Sequence, residues 1–461
     1  MENRTKKTAK TLISMVLVLT MLFAASASAV ALDFDCPVET KTDSILLVNL
    51  DTGIPVYEKN ADQRRYPAST TKIMTYIVAY EHIENMETTR ILIKQDILDI
   101  LLGTGSSLSG LERHVGEKMT AKDLFYCLMV SSGNDAALVF ADYIGGGNIQ
   151  AFVDMMNAKA AELGCTDTHF ANPHGLDDDT DQHYTTARDL YLITKYALTV
   201  PHFSEITNTV SYYCEGDEGM YPLITTNYMI DQVRGGEYYY TYARGIKTGT
   251  TDKAGRCLVS TAIADGYAYM CICLHAPYEE GGKYYTMLDS AALYRWALLN
   301  LRINPAVTKQ QPVCEQKVNF AWGVESIQLY PEKEVSALVL KDIGGDESET
   351  DEEKIDNNFI RIEPQIQDVV DTPIKKGTVL GTAVIYYKDQ KLETVNLVAG
   401  ENVDKSPVLF ALYIVNSLLG SLWFWLAVVL AAAIFVVYLI LHNRFGRKKK
   451  KSVKVKRYRN F

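Results

Sequence analysis

The sequence lacks the short patterns by which many metalloproteins hold a metal ion. It contains eight cysteines, but no two of them are spaced as C-x-x-C, which argues against a zinc ribbon. One group of histidine and acidic residues fits no familiar metal-ligand spacing such as H-E-x-x-H, and acidic turns are common. Its members are His174, Asp177, Asp178, Asp179, Asp181 and His183. We therefore predict that the protein uses no metal ion and no other cofactor.

Charge is absent from one long apolar run, and acidic residues are absent from the tail that follows it. As a helix, the 20 uncharged residues 422–441 would span about 30 Å, the thickness of the hydrocarbon layer. The last 20 residues carry ten basic residues and no acidic one. By the positive-inside rule, we predict a membrane anchor over 403–443, with a transmembrane helix at about 422–441 and a basic cytoplasmic tail over 444–461.

The N-terminus has the pattern of a secretory signal peptide. Four basic residues precede an apolar run over 12–25, and Ala27-Ser28-Ala29 resembles a cleavage site. We predict a signal peptide over 1–31 and a single-pass protein of the cell membrane, with its main part outside the cytoplasm. The whole chain has a formal charge of −10; without the basic ends, about −23 remains. Such an acidic exported part gives no support for a nucleic-acid partner.

Export permits disulfides, but the cysteines are scattered through apolar stretches. A chain of this length can build a core without covalent links. We favour buried free thiols, and the sequence leaves the redox state of the cysteines open.

The residues between the two ends predict an α+β domain over 32–301 and a small all-β domain over 302–402. In the first, hydrophobic periodicity predicts a two-strand hairpin at 44–59 and three late strands, 243–251, 255–264 and 267–276. Helices are predicted at 71–83, 121–130, 136–144, 149–163, 187–198 and 284–299. Strands at both ends suggest one antiparallel sheet completed by distant segments and flanked by helices. The acid-rich segment 344–357 is typical of a solvated loop.

The segment P-A-S-T-T-K places Ser69 and Lys72 three residues apart at the start of a predicted helix. Residues i and i+3 share a helix face, so the amine can reach the hydroxyl. Backbone N–H groups at a helix start can also hold an oxyanion. The pair is a candidate nucleophile and base, provided that Lys72 is neutral when it acts. S-x-x-K also occurs often by chance, as a helix cap followed by a surface lysine.

Two further segments carry polar side chains suited to a cleft. Ser132-Gly133-Asn134 interrupts two apolar helical runs, although either polar side chain could simply cap the next helix. The late strand 243–251 carries a lysine, two hydroxyls and a glycine that would suit an anionic, extended substrate; they are Lys247, Thr248, Gly249 and Thr250. The alternative for this strand is an exposed edge protected by its lysine.

The ordered set S-x-x-K, S-x-N and K-T-G is far less common than any one of its parts. With it, the chain resembles the low-molecular-weight penicillin-binding proteins, the serine-type D-alanyl-D-alanine carboxypeptidases. The phrases "VGEKMTAKDLFYCLMVSSGNDAALVFADYI", "THFANPHGLDDD", "YTTARDL" and "KKGTVLGTAVIYY" resemble that family too. The resemblance implies a β-lactamase/transpeptidase-like domain with a helical subdomain, followed by a β-domain. The uncharged span differs from the amphipathic helix that often anchors the family.

The resemblance also implies roles for the three segments. Ser69 would attack the penultimate D-alanine carbonyl of a peptidoglycan stem pentapeptide, with Lys72 as the base. Ser132 would relay a proton toward the leaving D-alanine, and Asn134 would hold Lys72 and the substrate. β-Lactam antibiotics would acylate Ser69.

The K-T-G strand would bind the terminal carboxylate of the substrate. Lys247 would supply positive potential, and Thr248 and Thr250 would donate hydrogen bonds, with Gly249 allowing close approach. The backbone N–H groups of Ser69 and Thr250 would form the oxyanion hole.

Three other functions remain open on the sequence. A DD-endopeptidase that opens cross-links would use the same catalytic residues. A β-lactamase is less expected, because the E-x-x-L-N segment of class A enzymes is missing. A non-catalytic wall-binding protein is also less expected, because the motif residues are intact.

Overall fold

The structure is a computed structural model and describes residues 34–216, 219–278, 282–341, 360–387 and 390–446. The predicted signal peptide, the acid-rich segment 344–357 and the tail beyond residue 446 lie outside the described residues. The chain divides into two compact units. The first unit runs to Pro305 and takes in a segment that begins at Ser336, and the second unit begins at Ala306.

The first unit is built around a five-stranded antiparallel sheet with the strand order β2-β1-β9-β8-β7. The strands of this unit are β1 (Ser44–Asn49), β2 (Pro55–Lys59), β3 (Arg90–Leu92), β4 (Lys118–Thr120), β5 (Ser211–Gly216), β6 (Gly219–Ile224), β7 (Ala243–Thr251), β8 (Gly255–Ala264), β9 (Tyr267–Ala276) and β10 (Leu301–Val307). The N-terminal hairpin β1–β2 pairs with the late strand β9. This confirms the prediction that distant segments complete one sheet.

The central strands are buried along nearly their whole length because the sheet is covered on both faces. All six residues of β1 are buried, as are nine of the ten residues of β8. Since neighbouring residues in a strand point to opposite faces, continuous burial requires cover on each side. β7 forms one edge of the sheet, so the K-T-G residues lie where a ligand can approach.

The helices of the first unit match the six predicted ones to within about two residues at each end, and two short helices are added. They are α1 (Lys72–His82), α2 (Gln95–Asp99), α3 (Ala121–Met129), α4 (Asn134–Ile144), α5 (Ile149–Glu162), α6 (Ala187–Ala197), α7 (Phe203–Thr207) and α8 (Tyr285–Asn300). In α1, all residues from Lys72 to Ala79 are buried. It contacts α3, α4, α5 and α6, so the helix that carries Lys72 runs through the middle of the helical part.

The second unit contains a six-stranded sheet with the order β14-β16-β17-β12-β11-β15. The later strands of the chain are β11 (Cys314–Asn319), β12 (Ser326–Pro331), β13 (Val335–Leu340), β14 (Ile360–Ile366), β15 (Val370–Asp371), β16 (Val379–Tyr387) and β17 (Gln390–Ala399). Burial alternates along β12, which places Ile327 and Leu329 in a small core with Ile385 and Leu397. The alternation is that of a sheet with one face on a core and one in solvent.

Two apolar helices follow the second sheet, α9 (Pro407–Gly420) and α10 (Leu422–Gly446). The hydroxyl of Ser406 caps α9 by accepting a hydrogen bond from the Leu409 N–H group. Within the described residues, the stretch Leu422–Arg444 is long and apolar enough to cross a membrane. It contains the predicted span 422–441.

Candidate active site

The predicted nucleophile lies in a short 3₁₀ helix, Ala68–Thr71, directly before α1. In a 3₁₀ helix the side chains at i and i+3 eclipse each other, which brings the Lys72 amine over the serine. Lys72 Nζ lies 2.9 Å from Ser69 Oγ. Lys72 is completely buried and Ser69 is half-buried, so the serine keeps a path to solvent while the lysine does not.

Two other acceptors hold the Lys72 amine in place. Asn134 Oδ1 lies 2.5 Å from Lys72 Nζ, and the backbone carbonyl of His174 lies 2.8 Å from it. A carbonyl oxygen can only accept hydrogen bonds, and a neutral amine has two protons and one lone pair. If neutral Lys72 donates to both carbonyl oxygens, its lone pair is left for the Ser69 hydroxyl proton. This arrangement can deprotonate Ser69.

The surroundings of Lys72 favour the neutral amine. Burial, and after it the positive charge of Lys247, hold the pKa of Lys72 well below its ordinary value, although the Asp135 carboxylate opposes the shift. Removing an ammonium group from water and placing a second cation near it both disfavour the charged form. A lysine with a lowered pKa is what a general base of this kind requires.

The S-x-N segment is a tight turn between α3 and α4. Ser132 has a left-handed backbone with φ of 63°, and Asn134 is the first residue of α4. The N–H group of Gly133 donates to the Cys127 carbonyl, and that of Asn134 donates to the Ser107 carbonyl. Ser132 is nearly buried, and its hydroxyl makes no hydrogen bond within the described residues. The turn therefore delivers the Asn134 amide to Lys72 and leaves the Ser132 hydroxyl available.

The carboxylate of Asp135 holds the Ser132–Asn134 turn in place through hydrogen bonds to a neighbouring loop. It accepts hydrogen bonds from the N–H and the hydroxyl of Ser109, from the N–H of Leu111 and from the N–H of Ala136. Asp135 is 1% exposed, and burial raises its pKa although these hydrogen bonds oppose the rise. A buried carboxylate with this many donors ties the loop before α3 to the start of α4.

The K-T-G residues of β7 lie against the nucleophile turn. A Cβ atom added at Gly249 would lie 3.0 Å from both Ala68 Cβ and the Ser69 backbone nitrogen, and 3.1 Å from the Pro67 carbonyl oxygen. Only glycine lets the strand come this close without displacing the turn. The strand edge and the Ser69 N–H group therefore face one another across a gap with no room for a side chain at position 249.

Lys247 is the second buried lysine of the site, with 1% of its surface exposed. Its Nζ donates to the Thr248 carbonyl at 3.1 Å, and burial lowers its pKa to about 7. Thr248 shares a hydrogen bond with Thr226, with 2.5 Å between the two hydroxyl oxygens, and Thr250 is exposed on the strand. The strand thus offers a cation and two hydroxyls beside Ser69.

Sequence reasoning missed the backbone group that completes the lysine's environment. The His174 carbonyl is brought to Lys72 by a loop in which Gly175 has φ of +95°. A Cβ at Gly175 would lie 1.9 Å from the Ala68 carbonyl oxygen, so this position requires glycine both for its backbone angle and for space. The sequence "NPHGLDDD" identified this loop as similar to the family, but a side-chain motif cannot indicate which backbone carbonyl accepts a hydrogen bond.

The histidine and acidic residues of 174–183 fit no metal site, but they contact the nucleophile turn and the end of β7. His183 Nε2 lies 2.8 Å from the Thr71 hydroxyl, and Asp177 accepts from the Thr251 hydroxyl at 2.7 Å. Asp181 pairs with Lys253 at 2.6 Å. Burial lowers the pKa of His174 to about 3 and that of His183 to about 4, so both are neutral at pH 7. Among the described residues, no three His, Cys, Asp or Glu side chains are placed to hold a metal ion.

Comparison with known proteins agrees with this geometry. Residues 29–277 match the family described as D-alanyl-D-alanine carboxypeptidase, and residues 307–405 match the C-terminal domain of penicillin-binding protein 5. The chain belongs to the D-alanyl-D-alanine carboxypeptidase family. It is 30% identical to the D-alanyl-D-alanine carboxypeptidase DacF of Bacillus subtilis, over 79% of this chain and 86% of that protein. It is 25% identical to DacA of Haemophilus influenzae, over 88% and 94% of the two chains.

Solved structures of the family share the fold. Penicillin-binding protein 5 from Haemophilus influenzae superposes with a TM-score of 0.61 at 22% identity, over 80% of this chain and 99% of that one. The carboxypeptidase DacD from Francisella tularensis gives a TM-score of 0.60 at 25% identity, over 80% and 95%. These matches confirm the predicted family and fold: a penicillin-binding, transpeptidase-like domain followed by a β-domain.

Proposed function

We propose that the protein is a serine-type D-alanyl-D-alanine carboxypeptidase that removes the terminal D-alanine from peptidoglycan stem pentapeptides through an acyl-enzyme on Ser69. The observation that carries this proposal is the environment of Lys72. Two carbonyl acceptors engage its protons and the Ser69 hydroxyl lies 2.9 Å away. The buried amine can then act as the base for the neighbouring hydroxyl.

Acylation begins when neutral Lys72 takes the Ser69 proton. Ser69 Oγ attacks the carbonyl carbon of the penultimate D-alanine, and the backbone N–H groups of Ser69 and Thr250 stabilise the oxyanion. The tetrahedral intermediate collapses as the peptide C–N bond breaks. Ser132, whose hydroxyl makes no other hydrogen bond within the described residues, passes its proton to the leaving D-alanine nitrogen. It receives the proton held by Lys72 in exchange, so the amine is neutral again.

The strand β7 selects a substrate that ends in a carboxylate. Lys247 supplies positive charge, and the hydroxyls of Thr248 and Thr250 donate hydrogen bonds to the terminal carboxylate. Gly249 lets the extended peptide and the nucleophile turn lie close together. Asn134 holds Lys72 through its Oδ1 atom, and its amide NH₂ group can reach the substrate backbone.

Deacylation returns the enzyme to its starting state. A water molecule attacks the ester carbonyl, and Lys72 accepts its proton. Lys72 then gives that proton to Ser69 Oγ as the ester C–O bond breaks, so the serine hydroxyl and the neutral amine are restored. β-Lactam antibiotics acylate the same oxygen, but their opened ring stays attached to the acyl group, so they act as inhibitors. The chemistry uses side chains and backbone groups of the chain and draws on no cofactor.

The C-terminal helix α10 would place this chemistry at the outer face of the cell membrane. In this proposal the stretch Leu422–Arg444 crosses the bilayer once, the basic tail lies in the cytoplasm, and both units reach the wall from outside. The uncharged span and the ten basic residues after it support this orientation.

The purified full chain should release D-alanine from a stem pentapeptide, and the Ser69→Ala variant should release none. Cleavage of cross-linked dimers without D-alanine release from pentapeptides would instead identify a DD-endopeptidase. Rapid turnover of penicillin would identify a β-lactamase, and no reaction with any of the three would leave a wall-binding protein.

A further inference from the structure

Two buried cysteines face each other where the helix that precedes the Ser132 turn meets a hairpin. Cys127 lies near the end of α3 and Cys214 lies in β5, and both are completely buried. Their Sγ atoms are 3.8 Å apart, although the residues are 87 positions apart in the sequence. Tertiary folding, and not local geometry, brings these two thiols together.

We propose that Cys127 and Cys214 form a structural disulfide in the exported protein. This goes beyond the proposed activity and rests on the predicted export, because disulfides persist outside the cytoplasm. The oxidant is a disulfide compound, either a dithiol–disulfide oxidoreductase or a small disulfide. Each cysteine loses its thiol proton, the Sγ–Sγ bond forms, and the two electrons reduce the disulfide of the oxidant to two thiols.

A second cysteine pair shows why the geometry singles out the first. Cys271 and Cys273 also have sulfurs 3.8 Å apart, but they are two residues apart on the single strand β9. Two residues of extended strand separate Cα atoms by about 6.6 Å, at the upper end of the range that a disulfide accepts. Cys127 and Cys214 lie on different elements and have no such restriction, so we expect Cys271 and Cys273 to remain thiols.

The link would join elements that support the active site. The Cys127 carbonyl accepts hydrogen bonds from the Ser131 hydroxyl and from the Gly133 N–H group, so it anchors the turn that carries Ser132. In the hairpin β5–β6, Cys214 lies opposite Tyr221. A disulfide would therefore tie this hairpin to the helix end from which the turn begins.

Tyr221 connects the same hairpin to the loop that holds Asp135. Its ring stacks on His114 with 5.2 Å between ring centroids. A Cβ at Gly110 would lie 3.3 Å from the Tyr221 ring, so the ring packs closely over the loop whose Ser109 and Leu111 groups donate to Asp135. The disulfide would thus stabilise a packed layer behind the catalytic turn.

The link should form during folding and not in the finished protein. In the folded chain, both thiols are completely buried. A thiolate must reach a sulfur atom of the oxidant in order to attack it, and a packed interior excludes the oxidant. Oxidation is therefore expected before β5 covers the end of α3.

Peptide mapping of the full chain tests the proposal directly. The protein is produced with export, purified in detergent, denatured without reductant, alkylated and digested with trypsin. Trypsin releases Cys127 in the peptide 123–159 and Cys214 in the peptide 196–234, because the Lys or Arg in each peptide is its last residue. These two peptides should be recovered joined. Cys271 and Cys273 share the peptide 257–283 and should both be alkylated. Alkylation of Cys127 and Cys214, or linkage of either one to another cysteine, would overturn the proposal.

Thermal unfolding gives an independent measurement. A link that closes so long a loop should raise the unfolding midpoint, so strong reductant should lower it by on the order of 10 °C in the unsubstituted chain. The double variant Cys127→Ala/Cys214→Ala should not respond to reductant, and the matched control Cys271→Ala/Cys273→Ala should respond as the unsubstituted chain does. An unsubstituted chain whose midpoint ignores reductant would refute the disulfide. Labelled penicillin bound by the same samples would show that the proposed activity stands regardless.

Discussion

At the scale of single residues, the proposed mechanism depends on two buried lysines, of which one must be neutral and the other protonated. Lys72 has to be neutral in order to take the Ser69 proton, and Lys247 has to be protonated in order to attract a carboxylate. Burial lowers the pKa of both lysines, and the charge on Lys247 lowers the pKa of Lys72 further. The charge on Lys247 thus adds to the effect of burial in keeping the Lys72 amine neutral.

The rate of Ser69 acylation should therefore depend on pH with two limbs. On the acid side it rises with pH as Lys72 loses its proton, at a pH well below the ordinary pKa of lysine. On the alkaline side it falls near pH 7, because the pKa of Lys247 is about 7. Acylation by labelled penicillin, measured as a second-order rate between pH 4 and pH 10, gives both limbs.

The Lys247→Arg variant assigns the alkaline limb. Arginine stays protonated throughout this range, so the variant should keep its acid limb and lose the fall near pH 7, whatever its maximal rate. If the alkaline limb is the same in the variant and the unsubstituted chain, Lys247 does not cause it and the charges assigned here are wrong.

Asp135 carries a prediction about stability. Removing its carboxylate leaves buried donors of Ser109 and Leu111 unpaired, and each unpaired donor costs about 1–3 kcal/mol. Asp135→Ala should lower the free energy of unfolding by roughly 2–4 kcal/mol and slow acylation, as measured by denaturant unfolding and penicillin labelling. Asp154→Ala is the matched control, because Asp154 is exposed and pairs only with Gln150 within the described residues. Equal losses in the two variants would contradict this role.

At the scale of elements, the site forms because the edge strand β7 packs directly against the 3₁₀ helix Ala68–Thr71, with no side chain between their backbones at Gly249. Gly249 lies against the turn that carries Ser69, and a Cβ atom at this position would come within 3.0 Å of it. Strand β7 is held on its other side by β8, with Gly249 opposite Cys257. The strand cannot move outward without breaking that ladder, so the gap at Gly249 is fixed.

Gly249→Ala should consequently push the strand and the nucleophile turn apart. The added carbon would lie about 3 Å from Ala68 and from the Ser69 nitrogen, and small displacements of catalytic groups cost up to about a hundredfold in rate. We expect the acylation rate to fall by roughly ten- to a hundredfold, with little change in expression. Gly420→Ala, where an added carbon meets nothing within 4 Å, should leave the rate unchanged. A full rate in Gly249→Ala would contradict the close approach.

Long apolar elements could be predicted from the sequence, and short polar ones could not. The three late strands have the predicted bounds: β8 and β9 are largely apolar runs between turns, and β7 is the more polar strand that carries the K-T-G motif. The hairpin β5–β6 was missed, since neither strand is a continuous apolar run. Among their described side chains only Cys214 and Leu223 are buried. The sequence placed Ser69 at the start of the predicted helix 71–83 and did not predict a separate 3₁₀ helix at Ala68–Thr71, because the two kinds of helix differ in hydrogen bonding and not in composition.

Within the candidate site, the side chains could be predicted from the sequence, and the backbone groups that hold them could not. Ser69, Lys72 and Asn134 were predicted from motifs of side chains, and the structure joins them by hydrogen bonds. The His174 carbonyl was not predicted, because every residue carries such a group and only tertiary folding decides which one reaches the amine. Asp135 was overlooked for a related reason, since its partners are mostly backbone N–H groups of a distant loop.

At the scale of the whole molecule, the proposed catalytic residues all lie in the first unit, and the apolar helices α9 and α10 lie at the end of the second. Catalysis and membrane attachment should therefore be separable. A chain that ends after Lys405 keeps every strand of both units and lacks α9 and α10. It should move from the membrane fraction to the soluble fraction, and its penicillin acylation rate should stay within about twofold of the full chain, as measured by fractionation and labelling.

A second truncation divides the attachment between the two helices. α9 has 14 residues and would be about 21 Å long, too short to span the hydrocarbon layer. A chain that ends after Gly420 should therefore be extracted from membranes by high salt or alkaline carbonate, whereas the full chain should require detergent. Release of the full chain by carbonate would rule out a transmembrane α10.

The proposed mechanism depends most directly on which atom becomes acylated. The unsubstituted chain is treated with labelled penicillin, denatured and digested with trypsin, which isolates Ser69 in the peptide 66–72. The label should be found on that peptide and on its serine, and the Ser69→Ala variant, although folded, should carry no label. Label retained by Ser69→Ala, or found in another peptide of the unsubstituted chain, would contradict the mechanism.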